Sequence, residues 1–275
     1  MSAPPKLMAV LAHPDDESLG VGGVLAAYAA RGVETYLVTA TRGERGRFFG
    51  NENRPGDAEV GRVREAELRA AARTLGVRDV AFLDYVDGAL DQVDARQAIG
   101  RIVSHLRRVR PEIVVTFDPF GLYGHPDHVA ICQLTTAAVL AASDPAFAAH
   151  DDGADETERS PHRVAKLYYR VLDERGWAAY QSAFKQLTSR VDGRERTAVA
   201  WPEWSMSARI DSRREWETVW RAVRCHATQL AGYARLGQLT AEEHEALWGS
   251  STFYRAVSTV NGGRGCETDL FDGVC

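Results

Sequence analysis

Cysteine is scarce. The chain has four, Cys132, Cys225, Cys266 and Cys275, among 275 residues. They form no CxxC pair and no regular spacing, which excludes a disulfide framework or a thiolate zinc knot and makes reduced thiols the expectation. Positive charge is not in excess either. A net charge of −5 and a pI near 5.9 argue against a nucleic-acid partner or an anionic membrane surface. No stretch approaches the ~20 apolar residues of a membrane span. The first apolar run is cut by His13-Pro14-Asp15, too early for a secretion signal, so a cytoplasmic protein is expected. A dinucleotide fingerprint is missing as well: in Gly20-Val21-Gly22-Gly23 the last glycine that GxGxxG requires is replaced by Leu25. What remains is 45% hydrophobic and long enough to bury a full core, so residues 1–275 are expected to form one domain.

The most informative stretch is Leu7–Gly23, an apolar run that ends in His13, Asp15, Asp16 and Glu17 and resumes as a glycine-punctuated apolar segment. A run of this kind bounded by Pro reads as a buried parallel strand, with a helix opening at Ser18-Leu19. The charged cluster then occupies the strand-to-helix turn, at the sheet edge where ligands bind in open α/β folds. Ile113–Phe117 is a second buried-strand run, followed by Tyr123, His125, Asp127 and His128. Strand-like and helix-like segments alternate between them: Glu34–Thr41, then Ala58–Leu75, Asp79–Leu83 and Asp94–Val109. This order predicts a mostly parallel sheet covered on both faces, a Rossmann-like three-layer α/β sandwich. Residues 1–142 would carry the metal-site core, and 143–275 substrate-side loops, the last strands and a C-terminal helix. Ser143–His162 reads as an acidic mobile loop, Trp177–Trp204 as an aromatic cover over the pocket, and Ser212–Ala231 as a helix.

Strands of one parallel sheet finish on a common edge, so the two charged turns can converge. His13 and Asp16 are three apart, as are His125 and His128. Three ligands drawn from His13, Asp16 and His128 would form a two-imidazole, one-carboxylate site with a position open to water, the ligand count of a hydrolytic zinc centre. Zn²⁺ suits these donors; Fe²⁺ or another divalent ion is the alternative, and a non-haem iron oxygenase would use the same set on a β-rich scaffold. Asp15 can then act as general base, and His125 or protonated Asp15 as the proton source for a leaving amine. Asp127 either orients His125 or caps a helix. Tyr123 either donates to an oxyanion or packs in its loop. His226 and Gln229 can reach the pocket from the last helix as supporting residues behind the ligands.

With HPDDE paired to GHPDH, and with TRGERG, Arg64-x-x-Glu67, LDYVDG, HATQ and ETDLFDG, the chain resembles the LmbE-like (PIG-L) family of zinc-dependent N-acetylglucosaminyl deacetylases. The resemblance implies His13, Asp16 and His128 as zinc ligands, Asp15 as base, His125 as proton donor or charge stabiliser and Tyr123 near the oxyanion. It places Arg64 and Asp87 on the sugar. It implies a small-molecule amino-sugar substrate and deacetylation, with an amidase of mycothiol-type conjugates or a non-catalytic sugar or metal binder as alternatives. A homo-oligomer stays open.

Overall fold

An apolar run without polar alternation must be covered on both faces. Leu7–Leu11 is: each of its residues is at most 1% exposed. In the computed structural model, which describes residues 3–49, 54–147, 160–184, 188–191, 193–260 and 265–274, this run is β1 (Lys6–Leu11). It leads into α1 (Asp16–Ala30), followed by β2 (Glu34–Thr41), α2 (Asp57–Leu75), β3 (Asp79–Tyr85), α3 (Ala95–Val109) and β4 (Ile113–Phe117). A four-residue turn of helix, α4 (Gly121–Gly124), precedes α5 (Pro126–Ala141) and β5 (Lys166–Val171). The later elements are α6 (Glu174–Phe184), the hairpin β6 (Thr188–Val191) and β7 (Arg194–Thr197), β8 (Ala208–Asp211), α7 (Trp216–Val223), α8 (Ala227–Leu230), α9 (Ala241–Trp248) and β9 (Ser250–Ser258).

Seven strands pair in the order β3-β2-β1-β4-β5-β9-β8. The first five are parallel, whereas β9 runs antiparallel to both β5 and β8. Helices α1, α2 and α7 pack together on one face and α3 with α5 on the other, giving the three layers expected. From β1 the chain leaves toward β2, while the other neighbour of β1 is β4. Connections diverge at that point and open a crevice at the carboxyl ends of β1 and β4.

The glycine run after the first turn has a packing cause. A Cβ on Gly22 would lie 3.2 Å from Val219, and one on Gly23 would lie 2.8 Å from the Trp248 carbonyl oxygen, so glycine lets α1 approach the C-terminal helices. Helix α1 begins at Asp16, two residues before the expected opening, because the Asp15 carbonyl already accepts the amides of Ser18 and Leu19. Helix α5 begins at Pro126, with proline in its first turn and the His125 ring accepting the Asp127 amide as the cap. The helix expected over Ser212–Ala231 is interrupted: His226 leaves helical geometry at φ −82°, ψ 59°, because its ring is held by Glu17. Within the expected cover, hairpin β6–β7 packs on α4, with the Arg196 side chain against Gly124. Most of the expected acidic loop, 148–159, lies outside the described residues.

Candidate metal centre

The turns after β1 and β4 meet at the His13 ring. Its Nδ1 lies 3.3 Å from His128 Nε2 and 3.6 Å from one Asp16 oxygen, and His128 Nε2 is 3.4 Å from the other Asp16 oxygen. Donors held about 2.0–2.1 Å from a tetrahedral zinc are separated by about 3.3–3.4 Å. The three residues therefore fit a divalent cation. Their electrostatics fit it too. Burial opposes charge on His13, yet the carboxylates of Asp127, Asp16 and Asp87 draw a proton onto it well above the usual imidazole range, so the cluster favours positive charge at this point. Burial, only partly offset by Asp16, drives His128 down to about 3 and leaves its ring neutral with a lone pair to give. Burial would raise Asp16, but His128 and His13 hold it well below the ordinary carboxylate range.

Two wider sets of donors share the same ring: His13 with His125 and His128, and His13 with Asp87 and Asp127, each within 4.8 Å. The second set grips the far edge of the imidazole. Asp87 Oδ1 and Asp127 Oδ2 each lie 3.1 Å from His13 Nε2. Asp127 is fixed in turn by the amides of Gly88 and Leu90, and Asp87 by that of Arg45. Carboxylates placed this way set the tautomer of a ligating histidine and raise its basicity. Asp127 thus holds His13 and not His125, since the Gly88 and Leu90 amides turn it away, and it is His125 that caps α5. Asp87, expected on the sugar, is 7% exposed and spent on His13.

The chain folds this tightly because its turn is bound to itself. The His13 amide donates to Asp16, and the Asp15 amide to Glu17. Phe117, the last residue of β4, stacks on the His128 ring at 3.9 Å and fixes its plane. Around the opening stand the half-buried rings of His125 and Tyr123, 5.0 Å and 5.2 Å from the His128 ring. Burial and the nearby His13 lower His125. Burial and the surrounding carboxylates raise Tyr123, which keeps its hydroxyl protonated and able to donate.

Asp15 sits at the start of α1 with φ 102°, a conformation that L side chains rarely adopt. Its carboxylate accepts the Tyr233 hydroxyl at 2.9 Å and faces Arg64 at 3.4 Å. Burial raises it to about 6 against the opposing pull of Arg64. Arg64, expected to touch the sugar, is 4% exposed and donates to the carbonyls of Pro14 and Gly43. The backbone around Asp15 consumes its guanidinium. His226 and Gln229 lie behind the site: His226 binds Glu17 at 2.7 Å, and the Gln229 amide donates to the Arg47 carbonyl. Sequence reasoning missed Tyr233, which stands 218 positions from its partner Asp15 with no local pattern to mark it. It also missed the role of Glu17, although that residue lies inside the charged cluster.

A family described as PIG-L, GlcNAc-PI de-N-acetylase, matches residues 8–139. Across 309 aligned positions the chain is 33% identical to a 1D-myo-inositol 2-acetamido-2-deoxy-alpha-D-glucopyranoside deacetylase of Mycobacterium leprae (strain Br4923), covering 100% of this chain and 98% of that one. Among solved structures, N,N'-diacetylchitobiose deacetylase from Pyrococcus horikoshii superposes with a TM-score of 0.64 at 20% identity, covering 91% of this chain and 83% of that one. GalB, the 4-carboxy-2-hydroxymuconate hydratase of Pseudomonas putida KT2440, superposes with a TM-score of 0.66 at 19% identity, covering 94% and 99%. One fold thus carries a deacetylase and a hydratase, and the reaction must be argued from the site.

Proposed function

The chain belongs to the PIG-L family of de-N-acetylases, and from that premise we propose that it hydrolyses the acetamide of an N-acetylglucosaminyl sugar with a bound zinc ion, the sugar being attached to inositol as in the Mycobacterium leprae relative. The observation that carries this reading is the cluster of His13 Nδ1, His128 Nε2 and the Asp16 carboxylate, each imidazole facing a different Asp16 oxygen, whose spacings of 3.3–3.6 Å suit a tetrahedral ion. Zinc is preferred over iron because two imidazoles and one carboxylate suit it and amide hydrolysis needs no redox change. When bound, the ion would polarise the acetamide carbonyl and lower the pKa of water.

This chain's own residues do the rest. Asp15, held between Tyr233 and Arg64, takes the proton of the attacking water as the oxygen adds to the amide carbon. The Tyr123 hydroxyl donates to the oxyanion that develops. As the carbon–nitrogen bond breaks, Asp15 passes that proton on to the departing sugar amine, while His125, neutral with its Nδ1 taking the Asp127 amide, offers its other ring N–H to the charge that develops, so that acetate and a free amino sugar leave. No described helix is long and apolar enough to cross a membrane. The free cysteines among the described residues support action in a reducing cytoplasm.

The test is direct. Purified protein is incubated with 1D-myo-inositol 2-acetamido-2-deoxy-alpha-D-glucopyranoside, and free amine and acetate are measured together. Equimolar release, abolished by a chelator and restored by Zn²⁺, is expected; release that a chelator leaves intact refutes the metal reading. No release from this or other N-acetylglucosaminides refutes the deacetylase.

A further inference from the structure

Of the four non-glycine residues with positive φ among the described residues, two lie in the catalytic turns, Asp15 at 102° and Leu122 at 63°. Such backbone holds only where surrounding contacts over-determine it, and it concentrates at working sites. The two residues are secured alike. The Asp15 amide donates at 3.0 Å to Glu17, whose other carboxylate oxygen lies 2.7 Å from His226 Nε2. The Leu122 amide donates at 2.7 Å to Asp118, whose other oxygen takes the indole N–H of Trp201 at 2.8 Å. In each case one carboxylate joins a strained amide to a ring N–H from the second half of the chain. Glu17, Asp118 and His226 are at most 3% exposed, so water competes little for these bonds.

We infer that Trp201 and His226 are positioning residues for catalysis: acting through Asp118 and Glu17, they lock the two strained turns that aim Tyr123 and His125 on one side and Asp15 on the other. This deepens the deacetylase reading and rests on it. Asp118 sets the bend directly before Tyr123, since Leu122 can adopt its φ of 63° only while its amide has that acceptor. Removing the indole N–H takes away the donor that the second half of the chain gives Asp118, and the carboxylate, left with amides of its own turn, is free to turn away from Leu122. A displacement of about 1 Å at reacting groups costs up to roughly a hundredfold in rate.

The experiment compares Trp201→Phe with Trp248→Phe. Each keeps a ring and deletes an indole N–H, but among the described residues the buried Trp248 N–H has no acceptor, so the latter controls for lost packing. Hydrogen exchange is followed on peptides spanning 118–125, alongside kcat, KM and bound metal. Trp201→Phe should lose protection at Leu122 and lower kcat about 10- to 100-fold, with KM and metal content held; Trp248→Phe should do neither. Asp118→Asn, which turns an amide N–H or a shared acceptor toward Trp201, should reproduce the exchange change if Trp201→Phe does not fold. In the other turn, His226→Gln keeps a donor for Glu17 and should retain several-fold more kcat than His226→Phe. Unchanged exchange at Leu122, or a kcat for Trp201→Phe equal to that of Trp248→Phe, overturns the assignment at α4. Equal kcat for the two His226 variants overturns it at α1. Exchange is read without substrate, so a failure of the deacetylase reading itself shows separately, as an inactive wild type.

Discussion

Replacement of Arg64 by Met separates two roles that a single arginine could hold. An arginine on the sugar would, when lost, raise KM and leave the fold alone. The guanidinium is instead 4% exposed. It donates to Pro14 O at 2.6 Å and Gly43 O at 2.7 Å, and it faces the Asp15 carboxylate at 3.4 Å. Methionine fills much of the same volume but leaves the Pro14 carbonyl without its donor, the Gly43 carbonyl with the Gly46 amide only, and one carboxylate without its cation. Removing one partner from a buried charged arrangement costs about 3–5 kcal/mol. At roughly 2–4 °C per kcal/mol for a chain of this size, the apparent melting temperature should fall by about 6–20 °C. Because Pro14 and Gly43 frame Asp15, kcat should fall at least tenfold on protein that is still folded at assay temperature, with KM changed less than threefold. Differential scanning calorimetry and steady-state kinetics read the two effects. A variant with wild-type melting and kcat but a tenfold higher KM would return Arg64 to the sugar and refute this reasoning.

Asp15→Asn removes the base while Tyr233 keeps an acceptor, so turnover should drop about 10²–10⁴-fold with metal stoichiometry intact by elemental analysis; full activity would exclude Asp15 as base. Stripping the metal should abolish turnover and lower the melting temperature, and resupply at about 100 times its Kd should recover about 2.7 kcal/mol; melting curves that ignore the metal would speak against the His13, Asp16 and His128 set. Lys166 lies at the opposite, amino edge of the sheet, fully buried against Glu267 at 2.8 Å. Lys166→Met should therefore cost several °C of melting temperature with kcat unchanged, and a kcat effect would show coupling across the sheet. Asp269 is held below the ordinary carboxylate range: burial would raise it, but Arg31, the Phe271 amide and Tyr28 prevail. A lowered carboxylate contributes stability above its unfolded pKa of about 3.9 that is lost as pH falls through the folded value. Asp269→Asn should accordingly be least stable relative to wild type at neutral pH and converge with it in acid, as urea titrations at several pH values would show; a constant gap would refute the linkage.

The proposed ligand triad was legible because its signal is local. Each half is a buried strand run followed by charged residues at i, i+3, and parallel strands must end on one edge, so His13, Asp16 and His128 could be brought together on paper. The alternation of strands and helices gave the layered sheet for the same reason, each element being written in its own periodicity. Three other residues point elsewhere than expected, because their roles depend on direction. Arg64 and Asp87 were placed on the sugar, and Asp127 beside His125, because a sequence names residues near a turn without saying where a side chain points.

Chain order and periodicity by themselves determined the sheet, the two turns and the candidate donor residues that meet between them. Only tertiary structure decided what stands behind them: Tyr233 on Asp15, Asp127 and Asp87 on His13, His226 on Glu17 and Trp201 on Asp118. A buried carboxylate must find donors, but it accepts them from whatever part of the chain packs against it. Tyr233 reaches Asp15 across 218 positions and Trp201 reaches Asp118 across 83, and pairings at such separations leave no period or spacing in the sequence to read.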